Sequence, residues 1–262
     1  MQWFLTIRPA FLAAWFCVAL LGNAWAQART LSVDDVVSRM EQVQAESRTH
    51  SIAYTVTRQY ELSAANADKP KSEVLAEVNF VPPSQKEYTV RKVEGADRGS
   101  DIVRKVLEHE SQMAAHAELH EVSSRNYDFA LVGTESLDGR DCYVLQLTPK
   151  RSAPELLRGQ AWVDASNFQV RRLQGTPAKS PSWWIKNLQV TLNYAEVQGI
   201  WTQVATRAVA DVRLLGKQVL TSRQIDLRTA TVDARNRAPR RAAGQPNNSR
   251  RSVVDSAVWV SR

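Results

Sequence analysis

Between Tyr127 and Tyr194 the chain runs as one strand-like segment after another, with no long helix among them. The segments are YDFALVG, CYVLQLTPK, GQAWVDA, FQVRRLQG and, beyond SPSWW, IKNLQVTLNY. Short alternating runs bounded by turn residues are the signature of strands, and strands joined by short turns make an antiparallel meander. Asp138-Gly139 is a strong hairpin signal at the first turn. In the strand that follows, Tyr143, Leu145 and Leu147 face one way, and Cys142 and Val144 the other. Both faces are partly apolar, so one covers a core and the other faces a second apolar space. Leu188, Val190, Leu192 and Tyr194 alternate in the same manner with Asn187, Gln189, Thr191 and Asn193.

The flanking sequence extends this sheet. Val33, Val36, Val37, Met40 and Val43 recur at helical spacing, and Ser32 with Asp35 forms a capping pair, which predicts an amphipathic helix over 32–48. Residues 51–62 switch to period two, with Ile52, Tyr54, Val56, Tyr60 and Leu62 on one face. Residues 73–81 alternate again, through Val74, Ala76, Val78 and Phe80, and Tyr88 and Val90 mark a shorter third strand. Ser100 is the expected N-cap of a second helix over 100–120. Two further strands are expected over 200–214 and 218–227, for about nine or ten in one large curved sheet.

Both termini differ in composition from this body. Ala10–Gly22 is an apolar run with one preceding charge, Arg8, and Ala24-Trp25-Ala26 fits a small-x-small cleavage site. Residues 1–26 therefore read as a secretory signal peptide. Cleavage removes Cys17 and leaves Cys142 alone, so no intramolecular disulfide is available and the domain depends on its core. Cys142 reads as a buried small apolar residue. The net charge of +7 is concentrated after Asp233, where seven arginines face one acid, Asp255. The charge thus belongs to a basic, disordered tail over 231–262 and is no argument for a nucleic-acid-binding domain.

Catalytic signatures are absent. There is no GxSxG, P-loop or GxGxxG, and no carboxylate pair suits a glycosidase. The expectation is a non-enzyme with no cofactor and no metal. The one arrangement that points elsewhere is the line of His109, His116 and His120 along one edge of the second helix. His116 and His120 have the spacing of a metal pair, but a polar helix margin explains them as well. Trp183 and Trp184 stand side by side in a loop rich in proline and serine. They read either as an anchor folded over the sheet edge or as an aromatic lip at a cavity mouth.

The segments AEVNFVPPSQKEYTV (Ala76–Val90), LDGRDCYVLQLTPKR (Leu137–Arg151) and GQAWVDASNFQVRRLQG (Gly159–Gly175) carry a resemblance. In the order helix, strands, helix, meander, the chain resembles the LolA/LolB-like superfamily of outer-membrane lipoprotein carriers, which includes the N-terminal domain of RseB. The pattern covers about residues 31–228, and the SPSWW loop and the basic tail lie outside what it maps. The resemblance implies an α+β, mainly antiparallel β fold: an open, incomplete β-barrel of about ten strands, spanning 27–230, with two or more helices as its lid. It also implies a periplasmic, monomeric module that binds lipid or lipoprotein acyl chains, in outer-membrane lipoprotein sorting. The alternative is an RseB-like regulatory or scaffold protein that engages an inner- or outer-membrane protein partner. The expected cavity lining is Tyr54, Val56, Val78, Phe80, Tyr143, Leu145, Trp162, Val190 and Leu192, with Trp183 and Trp184 at the mouth.

Overall fold

Ser32 opens the first helix as a complete capping box. Its hydroxyl accepts from the Asp35 amide at 3.1 Å, and the Asp35 carboxylate accepts from the Ser32 amide at 3.1 Å. Helix α1 then runs Val33–Thr49, with Asp34 and Asp35 in its first turn where the helix dipole favours acids. The computed structural model describes residues 31–95 and 97–229. The expected signal peptide (1–26) and basic tail (231–262) lie outside the described residues.

Ten strands follow: β1 Tyr54–Ala64, β2 Ser72–Val81, β3 Gln85–Gly95, β4 Tyr127–Leu137, β5 Arg140–Pro149, β6 Leu157–Asp164, β7 Val170–Pro177, β8 Ile185–Val197, β9 Ile200–Val212 and β10 Gly216–Thr229. The second helix, α2, spans Asp97–Ala114 between β3 and β4. All ten strands form one antiparallel sheet in the order β3-β2-β1-β10-β9-β8-β7-β6-β5-β4. Its edges are β3 and β4, which are not paired with each other, so the barrel stays open. Helix α2 carries the chain from one edge to the other.

One row of directly opposed residues crosses the whole sheet. It runs Val93, Val74, Tyr60, Ser222, Thr206, Leu192, Leu173, Ala161, Leu145, Leu131. Opposed residues point to the same face, so this row defines an inner face. Helix α1 buries Val36, Val37 and Met40 against Leu145, Leu147, Ala161 and Val163 of that face. Helix α2 buries Val103 and Leu107 against Val56, Val74, Val78 and Leu227 of the same face. Each helix thus covers one half of the sheet, and β8 and β9 form the seam between the halves.

Several expectations about elements shift. β3 is a full eleven-residue strand rather than a short one. Helix α2 begins at Asp97, so Ser100 lies inside its first turns, and it ends at Ala114 instead of continuing to 120. Side chains from elsewhere hold the chain in that break. The Asn126 amide donates to the carbonyls of Glu118 and Glu121, and Arg151 donates to that of Leu119. These bonds fix a short 3-10 turn at Ala117–Leu119 and override a helix-favouring sequence. Asp138 and Gly139 both have positive φ, at 52° and 75°, as the Asp-Gly hairpin turn requires.

Candidate functional site

A cleft opens where α1 ends over the seam. It encloses about 680 Å³ and is lined by Val43 and Arg48 of α1, Tyr54 of β1, Phe80 of β2, and Ile200 and Trp201 of β9. That volume is within the range of small-molecule sites. The Tyr54 and Phe80 rings meet at 5.0 Å, tilted by 30°. The Trp201 indole N–H donates to the Val170 carbonyl at 3.2 Å, which fixes the ring as part of the wall. The lining mixes apolar and aromatic surface with a polar rim that includes Glu46, Ser47 and His50.

Further along the same face lies a charged cluster beneath α2. Arg58 is 5% exposed and sits between Val56 and Tyr60 on the inner side of β1. Its guanidinium meets the Glu110 carboxylate of α2 at 3.3 Å and donates to the Gln203 carbonyl of β9 at 3.1 Å. One side chain therefore ties β1, β9 and the covering helix together. Burial disfavours its charge, but Glu110 and the neighbouring phenols more than offset this and hold Arg58 above its ordinary value. Burial pushes the Tyr194 phenol up to about 12, with Arg58 opposing the shift and Glu110 adding to it. Burial holds the Lys86 ammonium below its ordinary value, against the pull of Glu110 and with the help of Arg58. A buried ion pair of this kind contributes little net stability but is costly to break from one side. It suits a latch better than a core.

The structure separates the residues expected to line one cavity. Tyr54 and Phe80 do meet in the cleft. Val56 and Val78 are packed under α2 instead, and Leu145 and Tyr143 under α1, so these four are part of filled helix–sheet cores. Val190 and Leu192 share the inner face at the seam, where Leu192 opposes Leu173 and Val190 opposes Gly175. Trp162 is a correction. Its neighbour Ala161 opposes Leu145 on the inner face, so Trp162 points outward, into a separate cluster with Leu137, Cys142 and Val144. There its indole donates to Glu135 at 2.9 Å and stacks under Arg172. Cys142 is fully buried in that outer cluster, as a small apolar residue, and burial raises its thiol pKa.

Trp183 and Trp184 are a second correction. They lie at the opposite end of β8 from Glu196, which lines the cleft. Twelve residues at about 3.3 Å each put about 40 Å between the tryptophans and the cleft. They are not its lip. The histidine line is also broken: His109 is on α2, whereas His116 and His120 bound the 3-10 turn beyond the helix end. Among the described residues, no group of three or more His, Cys, Asp or Glu is placed to hold a metal ion.

Arg58 was the residue missed from sequence. The signal was present: it interrupts the alternation of Tyr54, Val56, Tyr60 and Leu62 at the one inward position not filled by an apolar side chain. A charged residue on the apolar face of a strand needs a partner from another element, and Glu110 is that partner.

A family model described only as an uncharacterized protein matches residues 112–234. No curated protein matches the chain. Among solved structures, the chain is similar to a domain from Vibrio parahaemolyticus named for outer-membrane lipoprotein sorting. Identity is 13%, coverage 74% of this chain and 92% of that one, and the TM-score 0.42. It is similar to a LolA superfamily protein from Nitrosomonas europaea, at 13% identity, 76% and 94% coverage and a TM-score of 0.34. The MucA/MucB complex of Pseudomonas aeruginosa contains a chain with 12% identity, 74% and 98% coverage and a TM-score of 0.23. The family resembled in sequence is thus among the structures found, while the fold described above rests on this chain's own strand order and register.

Proposed function

We propose that this protein is a carrier or binding module for lipid or lipoprotein acyl chains, acting in the bacterial envelope, and that it is not an enzyme. The observation that carries this reading is the cleft of about 680 Å³ at the seam, walled by Tyr54, Phe80, Ile200 and Trp201. The other half of the same face is covered by α2, which is latched to the sheet through the Arg58–Glu110 pair rather than sealed by apolar packing alone. A hydrocarbon chain entering there would run along the inner face past Tyr194 toward Leu192 and Val190. Burial of a sixteen-carbon chain at ~0.8 kcal/mol per CH₂ yields on the order of 12 kcal/mol before ordering costs, so tight carriage needs no covalent chemistry. Displacement of α2 would lengthen the path, and its polar contacts are the ones that can re-form with water when it moves.

The test is native mass spectrometry of protein purified without detergent, followed by organic extraction and titration with a fluorescent fatty acid. Co-purified lipid or acylated peptide is the expected result. Ile200→Asp and Phe80→Asp should each reduce uptake at least tenfold, since each places a charge in the apolar wall. A clean apo mass with no fatty-acid uptake would end the lipid reading and favour a protein partner in the envelope.

A further inference from the structure

The end of the sheet remote from the cleft carries exposed apolar residues that the carrier reading does not use. Trp183, in the loop between β7 and β8, is 75% exposed, and Leu214, in the turn between β9 and β10, is 97% exposed. Leu215 beside it is also exposed. Two observations show that these residues form one tip. The Arg213 amide donates to the Trp184 carbonyl at 2.9 Å, which joins the two loops. The Arg213 guanidinium lies over the Trp183 ring at 5.2 Å, which ties the indole to the β9–β10 turn. The loop itself is braced by Ser180, whose hydroxyl bonds the carbonyls of Ser182 and Ile185 at 2.8 and 2.9 Å. The β1–β2 loop reaches the same end, where the Ala65 amide bonds the Lys217 carbonyl at 3.0 Å.

The charge around this tip is net positive. Segments 65–71, 178–187 and 211–217 contain Lys69, Lys71, Lys179, Lys186, Arg213 and Lys217 against Asp68 and Asp211. Asp211 is engaged within the tip, accepting from the Asn187 amide at 2.8 Å. A tryptophan and two leucines at the point of a body, ringed by cations, match a surface with a negative outer layer and an apolar interior. A pocket of about 710 Å³ runs along the base of the loop, lined by Thr176, Lys179, Trp183 and Leu188, but Leu214 stands outside it, 97% exposed at the point of its turn, and an acidic protein rim would match the charge without covering that apolar point. Tryptophan is the side chain that suits the boundary between headgroups and acyl chains.

We propose that the tip formed by Trp183, Leu214 and Leu215 with its lysine and arginine ring docks this protein on the surface of an anionic phospholipid bilayer. The leucines and the indole enter the headgroup boundary and the cations pair with phosphates. Docking by this end leaves the cleft, about 40 Å away along β8, open to the aqueous side. The proposal does not rest on what the cleft binds, because vesicle binding and fatty-acid uptake are read separately.

The experiment is co-sedimentation of the full chain with phosphatidylcholine vesicles, with and without phosphatidylglycerol, at low and high salt. The parent should bind the anionic vesicles and release them in high salt. Trp183→Ser with Leu214→Ser should weaken binding about tenfold or more, and each of Lys179→Glu and Lys217→Glu by about fivefold. All four positions are on exposed turns or strand ends, so unchanged thermal unfolding serves as the folding control. A variant chain ending at residue 234 separates the contribution of the C-terminal arginines. Absence of parent binding, or parent binding that the tip substitutions leave unchanged in both chain lengths, overturns the proposal. So does a parent that self-associates in sedimentation velocity and becomes monomeric with Leu214→Ser while ignoring vesicles, since the tip would then pair with a second copy.

Discussion

Helices α1 and α2 cover two halves of the same sheet face with different chemistry. Beneath α1, the buried set of Val36, Met40, Leu145, Leu147, Leu156 and Val163 is apolar and holds no charge, and the phenol beside them, Tyr127, accepts a hydrogen bond from the Leu157 amide. Beneath α2, apolar contacts to Val103 and Leu107 are supplemented by a buried arginine that pairs with Glu110, and by phenols raised above their ordinary pKa by burial. An apolar core has no better alternative than to stay closed, because water offers its side chains nothing. A buried ion pair has water as a competing partner and loses little when both members are solvated together. The comparison assigns α1 to the permanent scaffold and α2 to the part that can move.

The largest effect that tests this division is in the α1 half. Leu145→Ala or Leu147→Ala should each cost about 2–5 kcal/mol in urea unfolding, because both side chains are fully buried among neighbours that cannot collapse freely. Leu107→Ala under α2 removes a similar side chain. If α2 opens before the sheet unfolds, its cost should be smaller, near the low end of that range. Equal costs on both sides would erase the distinction.

Glu110→Gln comes next. It leaves the Arg58 charge buried with weaker compensation, and the glutamate position is a quarter exposed, which softens the penalty. A loss of about 1–3 kcal/mol is expected, with the double change Arg58→Met and Glu110→Leu recovering most of it. Hydrogen exchange distinguishes the halves: α2 amides should exchange faster in Glu110→Gln while α1 amides keep their protection. Uniform loss of protection would mean that the pair holds the whole sheet rather than one helix.

Acid should act on the same side. Burial holds the His120 imidazole below its ordinary value, opposed by a hydrogen bond to the His116 carbonyl, aided by Lys86, and opposed again by Glu118 and Glu121. Its folded pKa is thus depressed, and the unfolded chain binds the extra proton first. The associated stability is present above the unfolded pKa of about 6.5 and is lost as pH falls through the folded value. Protection factors of amides around 114–121, taken relative to the intrinsic exchange rate at each pH, should therefore fall between neutral pH and mildly acidic pH, and His120→Gln should flatten that dependence. An unchanged profile in the variant would place the pH sensitivity elsewhere.

Much of this division could be read from the chain, and the unread part has a common cause. Period-two alternation placed Tyr143, Leu145 and Leu147 together opposite Cys142 and Val144, and the pairing of the strands agrees. The Ser32–Asp35 box and the Asp138-Gly139 turn are local signals and were legible for that reason. The side of Trp162 is not legible, because alternation within a strand does not say which of its faces opposes Leu145; only the register does, and one residue inverts it. The distance of Trp183 from the cleft, the end of α2 at Ala114, and the partnership of Arg58 with Glu110 are each set by residues far apart in sequence. The closure of β1 onto β10 is of the same kind, and it brings the N-terminal hairpin beside the last strand.

The smallest effect is the most direct check on the reasoning about latches. Arg48 of α1 bonds Glu121 at 2.8 Å, a shorter contact than Arg58 makes with Glu110, but the arginine is half exposed. If contact distance decided strength, Arg48→Gln would be the more damaging change. Solvation argues the reverse. An exposed pair trades protein contacts for water at nearly equal free energy, so Arg48→Gln should shift unfolding by about 0.5 kcal/mol or less, and salt should reduce even that. Because Arg48 also lines the cleft rim, its removal should alter the rate of fatty-acid uptake more than it alters stability. A cost matching that of Glu110→Gln would show that α1 is strapped in place rather than packed in place, and would move the mobile element from α2 to α1.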